Sequence, residues 1–406
     1  MNDNPNSAAQ GNRRSVRFAL LFPAAALLLA AMPAAHGADN GVPLASLPPG
    51  NNQSVRNEVR MAINKGLAWL EKTQDTNGWW STPDHPAITA LALEAFQLRP
   101  ERESKLETAA VRNGYAFLLA NVQPDGGIYH QDLPSYNTSI SLVALVLRHR
   151  PEDQPAILKA REFIIGLQNL SADGQATNEA FVGGIGYGRA DKHPDLSNTS
   201  LALEALRASA GPEKNGGLLA AKDLNWPAVI GFIQRCQNLP AYNSEKWASD
   251  DPQNKGGFVY SPGRSNAGET NLPSGRVALR SYGSMSYAGL MSYLYADLKP
   301  DDPRVAAVLQ WLRANYTLDE NPGLGPQGLY YYYDMMTKAL TAYGASTLDT
   351  QNGQTVNWRE QLALKLINLQ KADGSWANDS GRWLEKDPAL VTAYSLIALD
   401  MIYPKI

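Results

Sequence analysis

One eight-residue pattern recurs along this chain, and a pattern that recurs from end to end rules out most folds before any other property is weighed. Thr89-Ala90-Leu91-Ala92-Leu93-Glu94-Ala95-Phe96 is matched by Thr138-Ser139-Ile140-Ser141-Leu142-Val143-Ala144-Leu145, by Thr199-Ser200-Leu201-Ala202-Leu203-Glu204-Ala205-Leu206 and by Thr392-Ala393-Tyr394-Ser395-Leu396-Ile397-Ala398-Leu399. Degenerate copies fill the remaining interval, one from Ser286 through Leu290, Ser292 and Tyr293 and one from Tyr333 through Thr337, Ala339 and Leu340. Each copy opens on a polar-capable residue and continues with small residues and leucines at helical spacing. Helices apolar on more than one face belong inside a structure, so these six are read as inner helices.

A second helix precedes each inner one and ends in its own signature. Gln74 leads through Gly78 to Trp80, and Gln370 leads through Gly374 to Trp376, both fitting QxxxGxW. Looser versions stand at Gln123 with Gly126, Gly127 and Ile128, at Gln168 before Gly183-Gly184-Ile185-Gly186-Tyr187, and at Gln237 before Gly256-Gly257-Phe258. Glycine supplies the left-handed backbone that stops a helix, glutamine can hydrogen-bond exposed helix-end groups, and the aromatic covers the joint. The first helices are amphipathic and read as outer. Helix pairs of this kind cannot bury both faces alone and must stack on neighbours. The absence of long period-two segments makes the fold all-α.

These turns resemble the QW motifs of squalene-hopene and oxidosqualene cyclases, and the alternation is similar to that of protein prenyltransferase β subunits. The resemblance covers residues 55–406 as one repeat domain of the terpenoid cyclase and prenyltransferase superfamily. It implies a closed (α/α)6 toroid whose inner helices surround a cavity entered at their N-terminal ends.

The family chemistry does not carry over with the architecture. The resemblance places the DxDDTA acid of class II cyclases at Asp195-Leu196-Ser197-Asn198-Thr199-Ser200, where Ser197 and Asn198 stand in place of the acidic residues. A hydroxyl and an amide are too weak to protonate an alkene. Zinc prenyltransferases need Asp, Cys and His ligands, yet the single cysteine, Cys236, has no DxC arrangement and reads as a small buried hydrophobe. The GCGEQ thioester segment of α2-macroglobulin relatives does not occur. No metal and no cofactor are expected. Some polysaccharide lyases share the toroid shape and use Tyr or His as base, an analogy of fold and not of family.

Residues at and just before each inner helix start are expected to line the cavity. Asp195, Asp387, Tyr333 and His85 are the candidates for proton transfer. Tyr136, Asn137, Ser197, Asn198, Tyr282, Ser286, Tyr332, Asp334, Arg382 and Trp383 are the candidates for ligand contact. Each has a plainer reading too: Asp195 and Asp387 as helix caps, His85 in a capping turn, Arg382 paired to Asp387 in place of holding an anion. The run Tyr330 to Tyr333 puts phenols on all sides of a helix start, which packing alone rarely requires.

The N-terminus carries Arg13, Arg14 and Arg17, an apolar stretch from Phe18 to Met32, and small residues near Gly37. That is a signal-peptide pattern over 1–37, followed by a Pro, Asn, Gly and Ser-rich leader over 38–54. It predicts export to a periplasmic or extracellular space, by the Sec or the Tat route, with no stable membrane span after cleavage; a retained anchor is the alternative. With 36 basic against 39 acidic residues, no nucleic-acid partner is implied, and 44% hydrophobic residues suffice to bury a large core. The oligomeric state is open. Three functions remain: a toroid binding or transforming an apolar or isoprenoid ligand, a lyase-like carbohydrate enzyme, and a non-catalytic interaction scaffold.

Overall fold

The computed structural model describes residues 53–100, 107–170, 179–188, 193–210 and 223–406. The signal and leader read from the sequence lie outside these residues, apart from Gln53 and Ser54, which open the first helix.

Twelve α-helices alternate along the described residues. The outer six are α1 (Gln53–Thr73), α3 (Ala109–Ala120), α5 (Gln154–Gly166), α7 (Trp226–Gln234), α9 (Pro303–Ala314) and α11 (Trp358–Leu369). The inner six are α2 (Pro86–Leu98), α4 (Pro134–Arg148), α6 (Leu196–Ala208), α8 (Gly283–Tyr295), α10 (Leu329–Tyr343) and α12 (Pro388–Ile402). Each inner helix packs on the next, and α12 packs back on α2, so the ring is closed. Burial follows the sequence pattern. In α2 every residue from Pro86 to Gln97 is buried, whereas α1 buries a single stripe through Val59, Ile63, Gly66 and Leu70. Two short antiparallel hairpins, β1 (Glu269–Asn271) with β2 (Val277–Leu279) and β3 (Leu348–Asp349) with β4 (Thr355–Val356), decorate connections and form no layer.

The QxxxGxW turn is a joint between neighbouring repeats. Gln74 Nε2 donates to the carbonyl of Gly78 at 2.9 Å and to that of Ala110, at the start of α3, at 2.8 Å. Gln370 does the same to Gly374 and to Ala62 of α1, both at 2.9 Å, which ties the last repeat to the first. Gln237 bridges Gly256 and Arg304, and Gln168 bridges Gly183 and Asn225. The aromatic closes the joint from below: the indole N–H groups of Trp80 and Trp376 donate to Leu70 and Leu366 at 2.8 Å. The hydroxyl that opens five of the six inner repeats accepts from the backbone of the turn. Thr89 takes Trp80, Thr138 takes Ile128, Thr199 takes Ile185, Ser286 takes Phe258 and Thr392 takes Trp376.

Gly374 is the clearest test of this joint. Its φ is +97°, and a Cβ there would lie 2.6 Å from the carbonyl oxygen of Lys65 on α1. Gly353, in the exposed β3–β4 turn, also has positive φ, but a Cβ there would meet nothing within 4 Å. Gly353→Ala is expected to cost about 1 kcal/mol through backbone strain alone, and Gly374→Ala clearly more because the backbones must separate. Thermal melts of the two variants check this; equal losses would remove close approach as the reason for the glycine.

Candidate functional site

A cavity of about 250 Å³ opens at the N-terminal ends of the inner helices, and all six contribute to its wall. The repeat explains which residues face it. Because the opening hydroxyl is turned toward the joint, the residue two positions earlier, about 200° back around the helix, points the other way. Tyr136, Ser197, Ser284, Tyr331 and Leu390 occupy that position in five repeats, and all line the cavity. Connections between helices complete the wall with His85, Tyr187, Tyr260, Asn266, Trp383 and Glu385. Trp383 remains 44% exposed and so stands at the mouth. It and Leu384 both carry left-handed backbone, with φ of 55° and 63°, an arrangement costly for such side chains that holds the indole over the opening.

Of the residues singled out from the sequence, His85, Tyr136, Ser197, Tyr282 and Trp383 line this cavity. The others do structural work elsewhere. Asp195 is the N-cap of α6, accepting from the backbone of Asn198 at 2.8 Å and from its side chain at 2.7 Å, which also accounts for Asn198. Asp387 caps α12 through Ala389 and receives the Ser81 hydroxyl. It does not pair with Arg382, which donates to Gln327 at 2.6 Å and lies over the Trp383 ring. Asn137 anchors the start of α2 by accepting from Ala87 at 3.0 Å. Ser286 belongs to its joint. Tyr332 and Tyr333 donate to the carbonyls of Thr317 and Leu318 in the α9–α10 connection, so their hydroxyls brace a loop.

Nearly every polar tip in the wall is already engaged. Tyr136 and Tyr394 meet at 3.4 Å, Ser197 and Tyr331 at 3.0 Å, and Tyr260 donates to Tyr187 at 3.4 Å. Asn266 donates to Tyr282 at 3.3 Å, and Ser284 accepts from Asn321 at 3.1 Å. Glu385 accepts from the Tyr331 backbone at 2.8 Å on one oxygen and from Asn378 at 2.6 Å on the other. Burial raises the pKa of Tyr136 to about 12 and moves Tyr260, Tyr282, Tyr331 and Tyr394 in the same direction. The phenols are therefore neutral at physiological pH and cannot serve as ready bases.

Asp334 lies beneath this wall, in a charged cluster the sequence reading did not assemble. Lys338 Nζ is 3.1 Å from Glu204 and 3.3 Å from Asp334, with Glu94 alongside, and a small void among them is bounded by Tyr331 and Tyr394, which also line the main cavity. Burial pushes the Asp334 carboxyl up to about 6 against the pull of Lys338, and raises Glu94 well above the usual range. A sequence signal existed: Glu94 and Glu204 hold the same place in two copies of an otherwise apolar repeat.

Among the described residues no group of three or more His, Cys, Asp or Glu side chains is placed to hold a metal ion, and no helix is long and apolar enough to cross a membrane. No protein-family profile matches the sequence, and no curated protein sequence does. Among solved structures, a GH76 α-mannanase from Bacteroides thetaiotaomicron superposes with a TM-score of 0.52 at 10% identity, over 86% of this chain and 96% of that one. A type II terpene cyclase from Scytonema, solved with geranylgeranyl dihydroxybenzoate as substrate, aligns with a TM-score of 0.47 at 11% identity, over 87% of this chain and 100% of that one. The closed ring of helix pairs, together with the superposition on the mannanase, makes this chain an α/α-toroid, the fold that the resemblance of its repeats to the terpenoid cyclases implied.

Proposed function

We propose that the protein is an exported toroid whose cavity binds a small, predominantly apolar molecule of isoprenoid type. The observation that carries this reading is the predominantly aromatic and aliphatic lining of the cavity. Most of its hydroxyls already make one hydrogen bond to a neighbour, and an occupant meets chiefly aromatic faces and the side chains of Ile88, Leu133, Met285 and Leu390. Such a wall rewards the burial of apolar surface at about 25 cal/mol per Å² and offers little to a polyol. Alkene protonation has no support, because the α6 side chain that faces the cavity is the hydroxyl of Ser197. Glycoside cleavage needs two carboxyl groups, about 5 to 10 Å apart. Among the described residues lining the cavity Glu385 is the one carboxylate, and both its oxygens are occupied.

Titration with a ten-carbon isoprenoid and with mannose, read by tryptophan fluorescence, tests the reading. The isoprenoid is expected to saturate at micromolar to sub-millimolar concentration and mannose not at all. Ser197→Phe, which places a ring in the cavity, should weaken the isoprenoid at least tenfold. Saturable binding of mannose alone would overturn the proposal.

A further inference from the structure

The sequence offers Arg382 two roles, a pair with Asp387 or a hold on an anion, and the structure closes the first. Asp387 is turned to the Ala389 backbone and the Ser81 hydroxyl. The Arg382 guanidinium lies over the Trp383 ring, 4.2 Å from its centroid, and donates to two neutral amides, Gln327 at 2.6 Å and Asn266 at 3.5 Å. Trp383 and Asn266 both line the cavity, so the positive charge is held beside its mouth. Arg382 is exposed to solvent, and with two N–H groups engaged the rest of its five are open to an oxygen arriving from outside. A second exposed guanidinium, that of Arg264, lies over the ring of Tyr260, another wall residue, at 5.3 Å. Among the described residues neither arginine has a carboxylate partner.

We infer that the ligand of this cavity carries one anionic head, a carboxylate or a phosphate monoester, which Arg382 binds at the rim while the apolar body fills the space below. This rests on the reading of the cavity as an apolar site. Charge fixes the direction of the ligand. The wall holds Glu385 and, among the described residues, no lysine or arginine. Behind Tyr331 and Tyr394 stand the carboxyls of Glu94, Glu204 and Asp334, with Lys338 as their close cation. An anion placed deep would meet these groups without a partner of its own, where a low dielectric makes the repulsion costly. At the rim the sign reverses. The guanidinium presents a planar fork of donors that matches two oxygens of one head, and an anion bound there keeps part of its hydration. The Trp383 ring and the two amides hold that fork in place before a ligand arrives, which limits the freedom lost on binding.

The test titrates the full chain with three probes that share one ten-carbon body: geranic acid, geranyl monophosphate and the uncharged geraniol. Tryptophan fluorescence at neutral pH and low ionic strength reads the binding. At least one of the two anions is expected to bind about fivefold more tightly than geraniol, the worth of an exposed charge-assisted contact, and the tighter of the two names the head. High salt should reduce that advantage without weakening geraniol. In Arg382→Gln the advantage should shrink below about twofold while geraniol keeps its affinity, and Arg382→Lys, which retains the charge without the fork, should restore part of it. Geraniol binding the native chain as tightly as both anions, or an anion preference that survives Arg382→Gln, overturns the assignment of the head and leaves the apolar cavity standing. Failure of all three probes to bind removes the cavity reading, and this assignment with it.

Discussion

Lys338→Met is expected to lower the melting temperature much more at pH 7.5 than at pH 5. Among the described residues Lys338 is the one cation in close contact with a largely buried group of carboxyls contributed by α2, α6 and α10, lying 3.1 Å from Glu204 and 3.3 Å from Asp334. Burial works against its charge, yet the attraction of Asp334, Glu204 and Glu94 outweighs this and raises its pKa. Removing one partner of a buried ion pair leaves an uncompensated charge and typically costs about 3 to 5 kcal/mol. The pH dependence follows from the direction of the carboxyl shifts. Asp334 titrates at about 6 in the fold against about 4 in an unfolded chain. The folded state therefore holds the proton more tightly. The stability gained from that proton is fully present below about pH 4 and is lost as the pH rises through 6. Glu94 is shifted in the same direction. Without the lysine both carboxyls rise further, so the variant can take protons at pH 5 that compensate the loss, and at pH 7.5 it cannot. Adding Asp334→Asn to Lys338→Met should recover part of the stability at pH 7.5. Equal losses at both pH values would contradict the charge argument and reduce Lys338 to a packing residue.

The same cluster shows where the sequence was legible and where it was not. The joint could be read directly because all its parts lie close in the chain: Gln370, Gly374 and Trp376 fall within a few residues, and the interaction is local apart from one bond to the next helix. The repeated hydroxyls were also visible, but their direction was not. Reading Ser286 and its equivalents as cavity residues missed that the turn before each inner helix needs an acceptor for a buried backbone N–H, and that need takes the hydroxyl. The position two residues earlier accounts for Tyr136 and Ser197, already read as cavity residues, and with them for Ser284, Tyr331 and Leu390. The phenol run was misjudged for a related reason. Tyr332 and Tyr333 spend their hydroxyls on carbonyls of the preceding connection, and Tyr331 alone of the run faces the cavity. Tyr187 and Tyr260 hold one place in the repeat, two residues after Ile185 and Phe258 of their turns, so alignment of the turns could have placed them, whereas Asn266 arrives from a connection with no repeat pattern. The meeting of Glu94, Glu204 and Lys338 depends on ring closure, a property of the whole chain.

Ring closure itself can be measured at a single side chain. Trp376 and Trp80 are equivalent, each fully buried, each donating to a carbonyl of the preceding outer helix, and each seated against a glycine of the next one. A Cβ on Gly114 of α3 would lie 3.0 Å from the Trp80 ring, and one on Gly66 of α1 would lie 2.9 Å from the Trp376 ring. Replacing either tryptophan by alanine removes a large buried ring and is expected to cost about 3 to 5 kcal/mol from lost burial and the cavity left behind. The consequences should differ in kind. Trp80 joins repeats that are also consecutive in the chain, so its loss leaves α1, α2 and α3 connected in sequence. Trp376 joins the last repeat to α1, more than 300 residues earlier, where the remaining ties include the bond from Gln370 to Ala62 and the packing of α12 on α1 and α2. In Trp376→Ala the ring loses part of the one joint that no chain connection backs, and α1 is then held to the last repeat by its packing on α11 and α12. Limited proteolysis is expected to cut near α1 far sooner in Trp376→Ala than in Trp80→Ala at matched loss of melting temperature. Trp376→Phe, which keeps an aromatic on Gly66 but loses the indole bond to Leu366, should fall between native and alanine. If the two alanine variants release the same fragments at the same rate, the closing joint is no weaker than the others, and the toroid behaves as a ring without a seam.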